Sequence, residues 1–543
     1  MTVAAVGFFC ALVAEAVAPE VVPTKKGAVW YPADAPSFSV DGCSTVLVKD
    51  WRGREIVRRN LADGERFVRF SPGDFGDRFG AFEVVAMPTA GSVTNANCWF
   101  ARLTGPNPLP CKWVGANTWW LWNRKLKDRE DTSVFPYDGV FYDQLSAAGI
   151  GRVRYERVWN RYEPKPGEYD DCDAFREFVD EICRRGIEHH CILACNSMNR
   201  RAYPEKPLDP EAYARCLAHM VETYRGKIRT FEVTNEPQNT GFVTWYCFGG
   251  DNDAWKRGRG DGRRFGDIIW GKRMDVWVKP FVDFTRTAVE AARRADPTVD
   301  VSVAVEDIEV MLNRMLELGI AKDRDIVSFH PYCKTQLRPE RIWFFQDGGT
   351  ALRERMRKHG GATRLMISES GWTTVSSTNI VSWFVGKYPR ATYEQQARYM
   401  IRMYLLARQF GVECAMEHNF VDNGPDRRYT EHNFGIIHGD FTPKPAYAAI
   451  AYLTRLLGEA KPTGALSTDP DRFRIYKFEK NGKTVLAAWS VEGHSDVDVR
   501  ACGGEIGAVR DLMGNDVRAD VVDGRILHLT ENPVYLRVTS GTE

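Results

Sequence analysis

The chain predicts an α/β fold: a closed (β/α)8 barrel of the TIM type, flanked by N-terminal and C-terminal β-sandwich-like modules. Three observations carry this. Eight short apolar runs alternate with helical segments over roughly 350 residues, which demands a parallel sheet covered on its outside. The segments on either side are strand-like runs broken by turn residues. The first strand of the alternation leads into "GANTWW", which is no glycine-rich phosphate turn of a doubly wound sheet. Eight units then suit closure.

Taken in order, residues 1–18 open with an apolar run from Val3 to Ala14, followed by small residues. Ala14-Glu15-Ala16 and Ala16-Val17-Ala18 both fit an A-x-A cleavage pattern, so a signal peptide and a secreted or periplasmic location are expected, although the usual basic n-region is missing. Residues 19–110 carry "STVLVKDW", "RFVRFSP" and "RFGAFEVVAM" between Gly, Pro, Asp and Asn, which reads as a β module. From 111 to 460 the texture changes. "KWVGANTWW", "GRVRYERVW", "EHHCILAC", "IRTFEVTNEP", "VDVSVAVED", "DIVSFHPY", "RLMISESGW" and "VECAMEHNFVDN" read as the eight barrel strands. Between them lie helices such as "DCDAFREFVDEICRRGI", with Phe175, Phe178, Val179 and Ile182 at helical spacing. The insertion after the fourth strand is too long for a plain loop and is expected to shape a cleft or meet a neighbour. Residues 461–543 alternate strands with turns such as "KNGK" and read as the second sandwich module.

Composition bounds the partners. Hydrophobic content of 44% and charged content of 27% are ordinary for a globular chain, and a formal charge of +1 gives no electrostatic reason to expect nucleic acid. No stretch reaches the ~18 apolar residues of a membrane span. The 13 cysteines include no C-x-x-C pair, and no disulfide connectivity can be read from their spacing. His189, His190 and Cys191 are neighbours on a strand, so they point to opposite faces and cannot converge on a metal. No metal and no organic cofactor is implied.

Chemistry in such barrels sits where the strands end. Glu236 ends the fourth strand in "TNEP", where Pro237 stops the ladder, and Glu369 ends the seventh in "LMISESGW". One rim glutamate alone is more often a salt bridge or loop cap. Two, from strands lying across the barrel mouth, can flank one bond. Glycoside hydrolysis needs that arrangement: one carboxyl protonates the leaving oxygen while the other attacks or activates water. The carbohydrate substrate is the partner this implies; oligomeric state is not legible.

On these motifs the stretch from about 112 to 460 resembles glycoside hydrolase clan A, the retaining (β/α)8 glycosidases, with families 39 and 5 nearest. The resemblance implies Glu236 as acid/base and Glu369 as nucleophile, working by double displacement through a covalent glycosyl intermediate. It makes Asn235 of "NEP" a partner of the sugar 2-hydroxyl. "HPY" makes Tyr332 a hydroxyl partner of Glu369 and His330 a subsite or support residue. "VRYERVW" places Arg154 beneath the nucleophile, where its fixed charge would keep a carboxylate ionised. Trp372, Trp159, Trp120 and Asn196 stand at strand ends; each tryptophan either stacks on sugar or packs in the wall. The chain departs from the pattern at strand eight, where "MEHNFVDN" has no tryptophan, so His418, Asn419 or Phe420 takes that place. Glu417 is a further rim carboxylate able to replace a misassigned partner. A non-catalytic carbohydrate-binding barrel, or a transglycosylase using the same residues, would share these features.

Overall fold

The computed structural model describes residues 18–539 apart from 90–93, 119–138, 196–197, 240, 261, 270, 307–308, 334–336, 377–388, 468, 499–504, 518–520 and 523–524. The expected signal peptide lies outside these residues but for Ala18, and nothing among them forms a helix long and apolar enough to cross a membrane. Eight parallel strands close into a barrel: β1 (Cys111–Asn117), β2 (Ile150–Val158), β3 (Glu188–Ala194), β4 (Thr230–Val233), β5 (Asp300–Glu306), β6 (Ile326–His330), β7 (Arg364–Ser370) and β8 (Cys414–Glu417), with β8 pairing back to β1. A helix follows each strand: α1 (Gly139–Ala147), α2 (Asp173–Arg184), α3 (Pro210–Thr223), α4 (Asp275–Ala295), α5 (Glu309–Glu317), α6 (Gly348–His359), α7 (Tyr393–Gln409) and α8 (Pro445–Leu457).

Local signals set these helices. In α2, Phe175, Phe178, Val179 and Ile182 fall on one buried face. Asp209 caps α3 by accepting from the Glu211 and Ala212 amides, with Pro210 in the first turn. Thr392 and Gln395 close a capping box at α7. The insertion after β4 folds into three short helices, Gly241–Phe248, Asn252–Gly260 and Gly262–Ile269, with Phe242 and Val243 buried in the main core.

Side-chain parity along the strands decides what fills the barrel. Ile326, Met366, Cys414 and Met416 form a small apolar plug inside it. Above that plug the interior turns polar: Arg154, His190, Glu232, Ser302, Ser328 and Ser368 are all fully buried. His189 turns the other way, to Tyr155 and the Val179 carbonyl, as strand alternation requires.

A three-stranded antiparallel sheet and a five-stranded sheet, antiparallel but for the edge strand Val29–Trp30, enclose a core of Trp30, Phe38, Phe70, Phe75, Phe82 and Phe100 before the barrel. After the barrel comes a five-stranded sheet of β9 (Lys461–Ala465), β10 (Phe473–Lys480), β11 (Lys483–Ser490), β12 (Glu505–Asp511) and β13 (Val534–Thr539), with a three-stranded sheet beside it. One face of the larger sheet, Tyr476, Phe478, Val485, Ala487, Trp489 and Tyr535, merges into the barrel's own core; the other, Ile475, Leu486, Ala488 and Leu536, closes the module's private core. A buried ion pair fixes the docking. Arg402 of α7 holds Glu340, whose Oε1 accepts from the Trp489 indole at 2.7 Å.

Candidate active site

Six strand ends meet at the C-terminal mouth of the barrel. The chain leaves β4 through Thr234 and Glu236 at φ 57° and 39°, a left-handed region that costs non-glycine residues about 1–3 kcal/mol each. Pro237 follows and starts a short 3-10 turn to Asn239. That turn points Glu236 back over the mouth. Its Oε1 lies 2.9 Å from His330 Nδ1, and its Oε2 accepts from Asn239 Nδ2 at 3.1 Å.

Glu369 reaches the same place by a different device. Regular alternation would send it outward with Ile367, which packs in the core outside the barrel. Pairing with β8 shifts register between Ile367 and Ser370, so β7 holds one extra residue. Such a bulge re-aims a side chain, here turning Glu369 into the mouth. Gly371 then allows β7 and β8 to meet closely, since a Cβ there would sit 2.1 Å from the His418 carbonyl. Glu369 Oε1 accepts from Arg154 Nη1 at 2.6 Å, and Oε2 accepts from the Tyr332 hydroxyl at 2.9 Å. One ligand atom each of Glu236, His330 and Glu369 lies within 4.8 Å of the others.

Electrostatics keeps Glu369 ionised. Burial raises Glu369, but the charges of His330, Arg154 and His418 outweigh it and hold the carboxyl at about 2. Burial also pushes His418 below the ordinary imidazole range, with the charges of Glu369 and Glu236 opposing that shift. Burial would lower His330 as well; Glu369 and the hydrogen bond to Glu236 overcome it, so the ring binds its proton more tightly than usual. Its Nε2 meets Ser368 Oγ at 3.0 Å. Glu236, His330 and Glu369 are also the one set among the described residues able to hold a metal ion. The Arg154 charge on Glu369 and the His330 proton both oppose a cation there.

The residues named from sequence fall into three groups. Arg154, Asn235, His330, Tyr332 and His418 all belong to the mouth: Asn235 Oδ1 accepts from Arg154 at 2.7 Å, and His418 Nδ1 stands 3.9 Å from Glu369 Oε2. His418 takes the place that "MEHNFVDN" left open, whereas Phe420 is buried against Phe141 and Tyr447. Trp120 and Asn196 lie outside the described residues.

The rest are corrections. Trp372 is 2% exposed, its indole donates to the Leu337 carbonyl at 2.7 Å, and its ring packs near Tyr399, so it offers no face to a ligand. Trp159 is fully buried against Tyr203 and Tyr213, with its indole donating to Glu163 at 2.7 Å. Glu417 faces away from the mouth, onto Tyr404 of α7, because Met416 before it and His418 after it point inward.

Four residues of the mouth escaped the sequence reading. Glu232, two positions before Thr234 on β4, is fully buried, holds Arg154 through both oxygens and meets His190 Nε2 at 2.6 Å. Burial opposes its charge, yet Arg154 and His190 keep it at about 2. Asn117 ends β1 and accepts from Arg154 at 2.8 Å. Burial pushes Glu156 up to about 7; Glu369, Glu232 and Glu236 add to that and Arg154 opposes it. Burial, with Glu236 and Glu369 nearby, pushes Glu431 up to about 7 as well, and it stands 4.0 Å from His418 Nε2. Period-two spacing on "TFEVTNE" and "VRYERV" would have found Glu232 and Glu156.

No family model matches the sequence, and no curated protein matches it. Solved structures match in fold. A family 39 glycoside hydrolase from the gut symbiont Bacteroides cellulosilyticus WH2 superposes with a TM-score of 0.67 at 18% identity, covering 94% of this chain and 99% of that one. An exo-β-1,4-mannosidase from Opitutaceae bacterium strain TAV5 gives 0.43 at 15% identity, over 65% of this chain and 60% of that one. The first likeness, over nearly the whole chain, shows a shared fold of barrel and flanking modules.

Proposed function

We propose that the protein is a retaining glycoside hydrolase, cleaving O-glycosidic bonds of an oligo- or polysaccharide by double displacement. The observation that carries this is the approach of Glu236 and Glu369 across the barrel mouth, with oxygens within 4.8 Å. Retaining enzymes place their carboxyls about 5–5.5 Å apart, whereas inverting ones leave about 6.5–9.5 Å for a water. The fold shared with a family 39 glycoside hydrolase supports the same reading.

In the first step Glu369, held ionised, attacks the anomeric carbon from one face. Glu236 delivers a proton to the leaving oxygen from the other, and the glycosyl-Glu369 ester forms as the C–O bond breaks. His330, whose Nδ1 lies 2.9 Å from Glu236 Oε1, orients that carboxyl toward the leaving oxygen. As Glu369 loses its charge, the Tyr332 hydroxyl and Arg154 remain on its oxygens, ready for its departure as a carboxylate. Glu236 then accepts a proton from the attacking water, which takes the anomeric carbon and frees Glu369. Asn235 spends its oxygen on Arg154, so its amide nitrogen is the end directed to a sugar hydroxyl.

The test is a screen of aryl glycosides with Glu236→Ala and Glu369→Ala as controls. Both variants should lose turnover, the first by roughly 10²–10⁴-fold, the scale of general acid–base catalysis. Azide should restore Glu369→Ala with an azido sugar of inverted configuration. Wild-type turnover unaffected by either substitution, or products of inverted configuration from the wild type, would defeat the mechanism.

A further inference from the structure

A second concavity lies at the opposite end of the barrel from the mouth. It is a cleft of about 1660 Å³, bounded by Phe79 and Thr104 before the barrel, by Tyr452, Arg455 and Leu456 at the end of α8, and by the sheet that follows the barrel. Pro108 on its rim precedes the first residue of β1, and α8 runs back against the strand direction, which places the cleft at the N-terminal end of the strands. Nothing in the proposed chemistry uses it.

The cleft is cationic for a reason visible in the strand register. On the barrel-facing side of the sheet, Phe478 pairs with Val485 and Ala487 with Tyr535, and this apolar surface docks on the barrel. Beyond the barrel's edge the same side continues with Lys480 paired to Lys483, Arg537 paired to Val485, and Arg510 paired to Tyr535. Four positive side chains thus extend a face that elsewhere is core. Arg455 and Lys477 join them in the lining, against only Asp77 and Asp516. Lys480 and Lys483 stand directly across from each other, a like-charge pair that weakens a hairpin. Arg510 has Asp516 at 3.2 Å, and Lys480 lies 3.5 Å from carbonyls that end α8. Among the described residues, no carboxylate lies within ion-pair distance of Lys483 or Arg537.

We propose that this cleft is a secondary binding site for an anionic polysaccharide chain, one carrying carboxylate or sulfate groups along its length. The charges are spread along a sheet face rather than converging on one point, which suits repeated anions and not a single phosphate. The volume exceeds the ~300–1,000 Å³ of a small-molecule pocket and has room for several sugar units. Phe79 and Tyr452 supply half-buried rings against which sugar faces can lie. The choice of polysaccharide over other polyanions rests on the glycosidase reading. Because the site lies away from the mouth, it tethers the chain to its substrate without obstructing Glu236 or Glu369.

The experiment is native affinity electrophoresis of the full chain through gels containing polygalacturonate, dextran sulfate or unsubstituted dextran, with duplex DNA as a further arm. Wild type should be retarded by at least one charged polysaccharide and not by dextran, and the arm that retards it says which anion is read. The Lys483→Ala/Arg537→Ala double variant should migrate as it does in dextran while keeping its melting temperature and aryl-glycoside turnover. If the double variant fails to fold, Lys483→Gln alone should cut the retardation at least in half. Equal retardation of wild type and variant, retardation by DNA as strong as by any polysaccharide, or no retardation at all would overturn the proposal. Retardation lost in the double variant, in a protein that turns over no glycoside, would support the cleft and refute the catalytic reading, so the two fail separately.

Discussion

Replacing Glu417 with glutamine should make the protein more stable at alkaline pH and leave its chemistry alone. Glu417 is buried between β8 and α7, and burial pushes its carboxyl up to about 8, against the hydrogen bond from Tyr404 and one from the backbone. The Tyr404 hydroxyl also lies 3.1 Å from the Gly115 carbonyl. It has one proton to give, so it can serve both oxygens only if Glu417 brings its own. Glu417 Oε1 has no partner among the described residues, as a neutral carboxyl tolerates better than a carboxylate. Unfolded, the same group titrates at its ordinary 4.5. Between these values the folded chain keeps a proton that the unfolded chain has released. Stability therefore falls as pH rises from about 4.5 to about 8, by about 1.4 kcal/mol per pH unit and about 5 kcal/mol in all, and is flat above. Glutamine carries the same shape without the proton. Over a barrel of roughly 350 residues, about 5 kcal/mol corresponds to about 7 °C in apparent Tm. Melting curves of wild type and Glu417→Gln from pH 5 to pH 8.5 at fixed ionic strength should converge at the acid end and separate toward pH 8, with the variant higher. Parallel curves would refute the protonated state. Loss of aryl-glycoside turnover on the scale of Glu236→Ala would return Glu417 to the chemistry.

Two further substitutions probe the mouth. Tyr332→Phe removes a hydrogen bond to a charged oxygen, worth about 1.5–3 kcal/mol, so if that bond acts on the barrier kcat should fall roughly ten- to hundredfold; an undiminished kcat would remove Tyr332 from the reaction. Arg154→Met strands Glu232 and Glu369 and should cost about 3–5 kcal/mol of stability at pH 7, read by denaturant melts. That loss should shrink toward pH 5, because the stranded carboxyls can then take up protons that wild-type Glu232 refuses; a loss independent of pH would point to packing alone.

What the sequence made legible follows from periodicity. Eight strands, their order and the polar residues ending them could be read because each strand is an apolar run buried on both faces, and such runs stand out. Glu236 was found for the same reason, because it ends a run; Arg154, His330 and Tyr332 came from the resemblance of "VRYERVW" and "HPY" to clan A. The direction in which a rim residue points was harder. Strict alternation places Glu417 outward, and counting from Met416 would have shown it. The same counting sends Glu369 outward, and only a bulge that depends on pairing with β8 turns it in. Trp372 and Trp159 stand at strand ends in sequence but have their indoles bonded to Leu337 and Glu163, partners that loop geometry alone supplies. Glu431 sits 62 residues after Glu369 in a short 3-10 turn, Thr430–Asn433, with no periodic signal, so nothing in its neighbourhood marks it.

Arg154 explains why so many charges can stand together at the mouth. Its guanidinium has five N–H donors and makes five hydrogen bonds: Nε and Nη2 to Glu232, Nη1 to Asn117 and Glu369, and Nη2 to Asn235. A lysine, with three donors on a flexible stem, could not make that set. Glu369 receives from Arg154 both a charge and a directed hydrogen bond, and His330, in contact with Glu236 Oε1 and 3.6 Å from Glu369 Oε2, stands between the two carboxyls. A buried ion pair of this kind adds little net stability, because removing two charges from water offsets most of their attraction. Its effect here is orientation: the same guanidinium holds Glu369 on β7, Glu232 on β4 and Asn235 just beyond it, so the segments that carry the proposed nucleophile and acid/base are tied to each other.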